Sequence, residues 1–258
     1  MRLAVLSDIH GNLTALDAAL ADLDAVGEVD LVWFLGDLAA FGPRPAECIR
    51  RVRELAEHYG KDKFRSIGGN TDRYLVTGER MKMPAVKDEE TFAKLARRRS
   101  TVDEVLNWNL SQLSWEDYEY LTGILYRETR TRVDDYGVVI GYHAIPGDDE
   151  AQSLRPDTPE EEFADALLDR EGQLAIGGHI HVQMDRSIPR WRVVNVGSIG
   201  MSFDMPGKAQ WGLFTFTDSD VTVDLRAVEY DVDAAIADMQ ASGHPYPDWA
   251  ANRMRKGV

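Results

Sequence analysis

Seven side chains in this chain are of types that hold divalent metal: Asp8, His10, Asp37, Asn70, His143, His179 and His181. Carboxylate, imidazole and amide oxygen together suit a borderline cation such as Mn, Fe, Zn, Co or Ni. Asp8 and His10 stand two residues apart, so along an extended chain both would project to one side. Alone, that pair reads more readily as a capping Asp and a surface His in a tight turn. The whole set is harder to dismiss. Each member follows a short apolar run, and glycine lies close to most of them, which lets the chain turn sharply into a crevice. Four of the six histidines fall at such ends. The other two, His58 and His244, do not, and they read as surface residues.

The elements that must carry these residues follow from the apolar pattern. Arg2–Leu6 predicts a strand, followed at once by Ser7-Asp8-Ile9-His10-Gly11-Asn12. Leu13 to Leu23 has helical spacing, with Asn12 as its N-cap. Asp30–Leu35 predicts a second strand ended by Gly36-Asp37, and Phe64–Ile67 a third, closed by Gly68-Gly69-Asn70. A helix from Pro45 to Tyr59 lies between them. This βαβαβ order implies a parallel sheet covered on both faces, with ligands at the carboxyl ends of its strands.

Residues 73 to about 126 read as a helical insert, with helices expected over Lys87–Asn109 and Ser114–Thr122. Its Arg97-Arg98-Arg99 run reads as a solvated face, with an anion contact as the alternative. Arg127–Val133 and Val138–Tyr142 predict a hairpin through Asp134-Asp135-Tyr136-Gly137. A helix over Pro159–Asp169 and a strand at Leu174–Ile176 follow. Trp191–Val194, Gln210–Phe216 and Val221–Tyr230 are strands without intervening helices, so the second half is expected to form a more antiparallel sheet. A helix at Val232–Ser242 and a tail with Trp249, Arg253, Arg255 and Lys256 end the chain.

The 258 residues fit a single domain spanning 1–258, with the insert at about 73–126 and a C-terminal helix and tail at about 232–258. Lys and Arg number 29 and Asp and Glu 44, a net charge of −15. A surface this acidic argues against non-specific nucleic-acid binding and against an anionic membrane. The one cysteine, Cys48, excludes an intrachain disulfide and reads as core filler. No signal-peptide pattern or membrane-length apolar stretch is visible, so a soluble cytoplasmic protein is expected.

The order Asp-x-His, Gly-Asp, Gly-Asn, His, Gly-His-x-His resembles the calcineurin-like metallophosphoesterase superfamily. The segments that carry the resemblance are Ser7–Asn12, Leu35-Gly36-Asp37, Gly69-Asn70-Thr71-Asp72, Tyr142-His143 and Gly177-Gly178-His179-Ile180-His181. Asn195-Val-Gly-Ser198-Ile-Gly200 is similar to the Asn-Pro-Gly-Ser stretch of its small prokaryotic phosphodiesterases, the diadenosine tetraphosphatase-like branch. The resemblance implies an α/β fold: a four-layer α-β-β-α sandwich of two mixed sheets, with the metal site at the strand carboxyl ends. It also implies two divalent ions. One would take Asp8, His10 and His181, the other Asn70, His143 and His179, and Asp37 would bridge them, sharing a hydroxide nucleophile. On that basis Asp37, Asn70 and His143 are the catalytic candidates. Asn70 and Arg73 are candidate substrate contacts, as is Asn12 if it does more than cap its helix.

One position departs from the family's protein phosphatases. They read Gly-Asn-His-Glu, whereas Thr71 stands here in place of the His and cannot act as a general acid near neutral pH. The expected activity is therefore dinuclear hydrolysis of a small phosphodiester or nucleotide-type ester. A phosphomonoesterase or protein phosphatase on the same site, or a non-catalytic binding module of the same fold, are the alternatives. A homo-oligomer is left open.

Overall fold

The computed structural model describes residues 1–151 and 154–257. In chain order the elements are β1 (Arg2–Leu6), α1 (Leu13–Ala25), β2 (Leu31–Leu35), α2 (Pro45–Tyr59), β3 (Phe64–Ile67), α3 (Asn70–Thr77), α4 (Glu89–Ser111), α5 (Trp115–Ile124) and β4 (Thr129–Val133). There follow β5 (Gly137–Gly141), α6 (Glu160–Ala166), β6 (Leu174–Gly177), β7 (Gln183–Ile188), β8 (Trp191–Val196), β9 (Lys208–Thr217), β10 (Asp220–Glu229), α7 (Val232–Ala241) and α8 (Pro247–Lys256).

Two five-stranded mixed sheets form, in the orders β10-β9-β1-β2-β3 and β4-β5-β6-β8-β7. The first strands are apolar throughout because both of their faces are covered. In β1, Ala4 and Leu6 face a cluster with Leu16, Ala19 and Leu23 of α1. Leu3 and Val5 face the other way, into a core shared with Val139, Ile176 and Val194 of the second sheet. Behind that sheet, Phe163 and Leu167, in and just after α6, pack on Ile140, Ala175 and Val193. Helix, sheet, sheet and helix are therefore the four layers, as the resemblance implied. Cys48 is buried in the first helical layer.

β1, β2 and β3 pair in parallel, as their βαβ order requires. The hairpin joins β4 and β5 antiparallel. The later strands differ from expectation. β5, β6 and β8 run parallel, and the antiparallel pairs lie only at the edges of that sheet. Moreover, β9 and β10 do not join the second sheet. β9 returns to the first and pairs antiparallel with β1, from Arg2 with Thr215 to Val5 with Gly212. Periodicity marks a strand but not its partner, so composition could not reveal this return. β7 went unread because its sequence, Gln-Met-Asp-Arg-Ser-Ile, is mostly polar, with only Met184 and Ile188 buried.

The unassigned tail is a helix. α8 packs Ala250, Ala251 and Met254 on Ala235, Ile236 and Met239 of α7. The loop between these helices carries His244, which is buried and not a surface residue. Its ring lies 5.0 Å from that of Trp108 on α4, edge to face, and its Nδ1 accepts from the Tyr246 N–H at 3.1 Å. His58 is exposed.

Candidate metal centre

The seven candidate side chains converge at the carboxyl ends of the strands. They do not reach there by strand alternation. β1 ends at Leu6, and Asp8 and His10 both adopt left-handed backbone, with φ of 56° and 50°. Asp37, His179 and His181 do the same, at 54°, 70° and 57°. Such residues cost about 1–3 kcal/mol each and persist where the surroundings over-determine them. Here the three loops lock one another. Asp8 N–H donates to Gly36 O at 3.0 Å, and His10 N–H to Asp37 O at 2.9 Å. Ile199 N–H donates to Ser7 O at 3.1 Å and Gly200 N–H to Asp8 O at 2.9 Å. Glycine is required between the loops. A Cβ on Gly69 would stand 2.2 Å from Asp37 Oδ1, and one on Gly178 would stand 2.1 Å from Ser7 Oγ.

The donor atoms fall into two groups around one carboxylate. His181 Nε2 lies 3.2 Å from Asp8 Oδ1 and 3.0 Å from His10 Nε2. Asn70 Oδ1 lies 2.9 Å from His179 Nδ1 and 3.2 Å from His143 Nε2. Asp37 Oδ2 is 3.5 Å from His10 Nε2 in the first group and 3.5 Å from His143 Nε2 in the second. Asp8, His10, Asp37 and His181 each offer a ligand atom within 4.8 Å of the others, and all four are buried.

These residues fit divalent metal on several counts. A carbonyl only accepts, so His143 Nδ1, 2.7 Å from Leu35 O, carries that ring's hydrogen, and its Nε2 lone pair faces the cluster. His181 is held likewise through Met201 O at 2.7 Å. Ser7 Oγ–H and the His179 N–H both donate to Asp8 Oδ2, at 2.6 and 2.8 Å. Asp8 Oδ1 is left buried with no hydrogen-bond donor, because the His181 Nε2 beside it presents a lone pair. Donor atoms crowded at 3 Å, beside an orphaned carboxylate oxygen, form a setting that suits a cation between them. Burial holds His10 and His179 down at about 4, so both are neutral ligands at neutral pH. Burial opposes charge on His143 too, but Asp37 beside it prevails and pushes it up to about 10, so a cation bound there would displace a proton from Nε2 to reach that lone pair. The same histidines hold Asp37 well below the usual carboxylate range, against the effect of burial.

Some positioning residues escaped the sequence reading. Asp72 is buried and accepts from Leu38 N–H at 3.0 Å and Gly69 N–H at 3.0 Å, tying the β2 loop to the β3 loop. Burial, with Asp37 close by, raises it to about 7. Its place three residues after Gly69, at the start of α3, was a usable signal, because a carboxylate there can accept from the N-cap N–H. Thr71 N–H donates to Asp37 Oδ1 at 2.9 Å. Ser198 Oγ–H donates to Asp8 O at 2.8 Å, and Asn195 Nδ2–H to Gly178 O at 2.6 Å.

Two expected substrate contacts are engaged elsewhere. Asn12 is fully buried, accepting from Ala15 N–H at 3.1 Å and donating to Gly200 O at 3.0 Å. It caps α1 and braces the loop. Arg73 turns from the cluster into a neighbouring cleft, where Asp149, Glu150 and Glu79 take its guanidinium. A helix start at Asn70 places Arg73 on the buried face, which the motif alone did not reveal.

Above the donor cluster lies a cavity of about 640 Å³. α4 reaches over it with Arg98, Thr101 and Val102, and α8 with Trp249 and Arg253. The insert thus roofs the crevice, and so does the C-terminal helix.

Residues 1–183 match the family model for calcineurin-like phosphoesterases. An uncharacterized protein of Methanocaldococcus jannaschii is 26% identical over 269 residues, covering 99% of this chain and 98% of that protein. A symmetrical bis(5'-nucleosyl)-tetraphosphatase of Salmonella arizonae is 32% identical over 115 residues, which is 40% of this chain and 34% of that enzyme. Among solved structures, a metallophosphoesterase from Sphaerobacter thermophilus superposes with a TM-score of 0.73 at 26% identity, over 100% of this chain and 99% of that one. A hypothetical protein from Pyrococcus horikoshii OT3 shares the fold, with a TM-score of 0.81 at 22% identity over 100% and 98% of the two chains.

Proposed function

The chain belongs to the calcineurin-like phosphoesterase family, and from that premise we propose a dinuclear hydrolase of small phosphodiesters or nucleotide-type phosphoesters. That it is a metal-dependent phosphoric ester hydrolase follows from the family. The dinuclear reading rests on Asp37, whose Oδ2 is 3.5 Å from a histidine of each donor group. Asp8, His10 and His181 with Asp37 would hold one divalent ion, and Asn70, His143 and His179 with Asp37 the other. Mn, Fe, Zn, Co and Ni all suit this donor set. When bound, such ions supply charge to phosphate oxygens and make water a nucleophile at neutral pH.

The protein's own part is positioning. Thr71 N–H fixes one oxygen of Asp37 and leaves the other to face both groups. Leu35 O and Met201 O orient His143 and His181, so their basic nitrogens point inward. Asn70 lines the cavity, and its amide can donate to a phosphate oxygen while its carbonyl faces the donors. The roof residues stand over the donors and keep a flat protein surface away from them. That favours a small substrate over a phosphoprotein. The whole chain acts as one domain in this reading, with the insert and the C-terminal helix as its roof. No helix among the described residues is long and apolar enough to cross a membrane.

The test is metal content and hydrolysis together. Metal-stripped protein reloaded with Mn²⁺ should hold two ions per chain and cleave bis-p-nitrophenyl phosphate in preference to p-nitrophenyl phosphate. Asp37→Asn should lower the rate by at least about 100-fold, the scale for removing one electrostatic group from such a site. One ion per chain, or an active Asp37→Asn, would overturn the dinuclear reading. Faster cleavage of the monoester would overturn the diester preference.

A further inference from the structure

The cavity over the donor cluster has walls of two kinds. Arg98, Arg155 and Arg253 are one, and Phe41, Phe203 and Trp249 are the other. In a chain of net charge −15, carboxylates are abundant, and the neighbouring cleft shows what they do to an arginine. There Asp149, Glu150 and Glu79 neutralise Arg73 completely. None of the three cavity arginines has a carboxylate partner among the described residues. The Arg98 guanidinium donates to Met81 Sδ, at 3.7 Å.

Arg253 is the informative one. Its guanidinium lies over the Trp249 ring, 4.5 Å from the centroid, on the cavity side of α8. Its Nε is buried and has no hydrogen-bond partner. Burial and the like charge of Arg98 both weigh against its proton. A guanidinium stays charged in spite of this. Two arginines from separate helices, α4 and α8, therefore face one cavity with their charge uncompensated. The buried, unpaired Nε of Arg253 carries a desolvation cost that a bound anion offsets with charge-assisted hydrogen bonds, while the exposed Arg98 adds its charge from the rim.

The attacked phosphate belongs on the cavity floor, against the donor cluster. An anion bound by the arginines is therefore a second one. We propose that Arg98, Arg155 and Arg253 form a second anion subsite in the wall, selecting substrates with at least one phosphate beyond the one attacked. This rests on the hydrolase reading above and narrows its substrate class to polyphosphorylated nucleotides. The aromatic residues beside the arginines supply the flat apolar wall against which a base can lie. α8 is thereby a specificity element, although nothing in its sequence resembles a motif.

The experiment compares ADP and AMP as ligands of the Mn²⁺-loaded protein by calorimetry. Ring and sugar are common to both, so the difference reads the added phosphate. ADP should bind at least about tenfold more tightly than AMP, the scale of a charge-assisted hydrogen bond. In Arg253→Gln that ratio should fall below about threefold, and Arg253→Lys should restore part of it. Arg98→Gln, on an exposed turn, should also reduce the ratio and serves as the test if Arg253→Gln does not fold. Equal affinity for ADP and AMP in the parent protein would overturn the subsite. So would an unchanged ratio in the folded variants. Hydrolysis of bis-p-nitrophenyl phosphate, measured alongside, reports on the hydrolase reading separately.

Discussion

The floor and the roof of the cavity are built on opposite physical terms. The floor is made of loops at strand ends, buried, in left-handed backbone, and cross-bonded so closely that glycines are needed between them. The roof is made of helix faces. Arg98 and Arg155 are exposed there, and the contacts are rings and long flexible side chains. The difference teaches a division of labour. Residues that must hold a charge at a fixed point sit where the chain cannot move. Residues proposed to choose among substrates sit where substitution is tolerated.

The largest expected effect comes from disturbing the floor. Gly69→Ala would drive a methyl to within 2.2 Å of Asp37 Oδ1 and 2.7 Å of His143 Cε1. Overpacking of this kind costs about 3 kcal/mol. A large fall in melting temperature should appear by calorimetry, with loss of bound Mn²⁺. An unchanged melting curve would break the contrast at once. Arg73→Ala comes next. It leaves Asp149 and Glu150 facing each other beside the floor, and removing one partner of a largely buried network should cost about 2 kcal/mol in denaturant titration.

A smaller effect is expected where the roof is anchored. Burial of His244 under Trp108 lowers it to about 4. The unfolded chain, with an ordinary histidine near 6.5, takes up this proton first. Stability should therefore fall as pH drops from about 6.5 towards 4, because the unfolded state binds a proton the folded state refuses. His244→Gln should show a shallower fall over that window, and parallel curves for variant and parent would refute the assignment. The smallest effect belongs to the roof's outer surface. Arg97→Ala and Arg99→Ala should each change stability by less than about 0.5 kcal/mol. Against Arg98→Gln they separate the one arginine of the run that lines the cavity from the two that do not.

The same contrast explains what could be read in advance. The seven floor residues announce themselves because metal chemistry admits few residue types, and strand ends confine them to recognisable spacings. Their backbone did not. Asp8 and His10 looked like alternating strand positions, yet left-handed φ values aim them, and no periodicity encodes that. Asp72 could have been found from its spacing after Gly69. Trp249 and Arg253 could not, since one tryptophan and one arginine in a polar tail have no pattern until α8 is seen against the cavity. Arg73 was misplaced for the converse reason. Proximity to Asn70 in sequence suggested the pocket, but one helical turn carried it into the adjoining cleft among carboxylates.

The return of β9 to the first sheet bears on how the protein comes into being. β1 is the central strand there, with β2 on one side and β9 on the other. Its β9 partners, Gly212 to Thr215, are synthesised more than 200 residues after it. Ser198 and Gly200, which clasp the Asp8 backbone, also arrive late. During translation, β1 can pair with β2 early but must wait as an open edge until the last third of the chain leaves the ribosome. Such long-range closure is slow because the entropy of a large loop is lost before its contacts form. The floor with its candidate metal ligands, though drawn mostly from the opening motifs, is consequently among the last parts of the molecule to be completed. An interrupted chain would carry most of the candidate metal ligands without the grip that positions them.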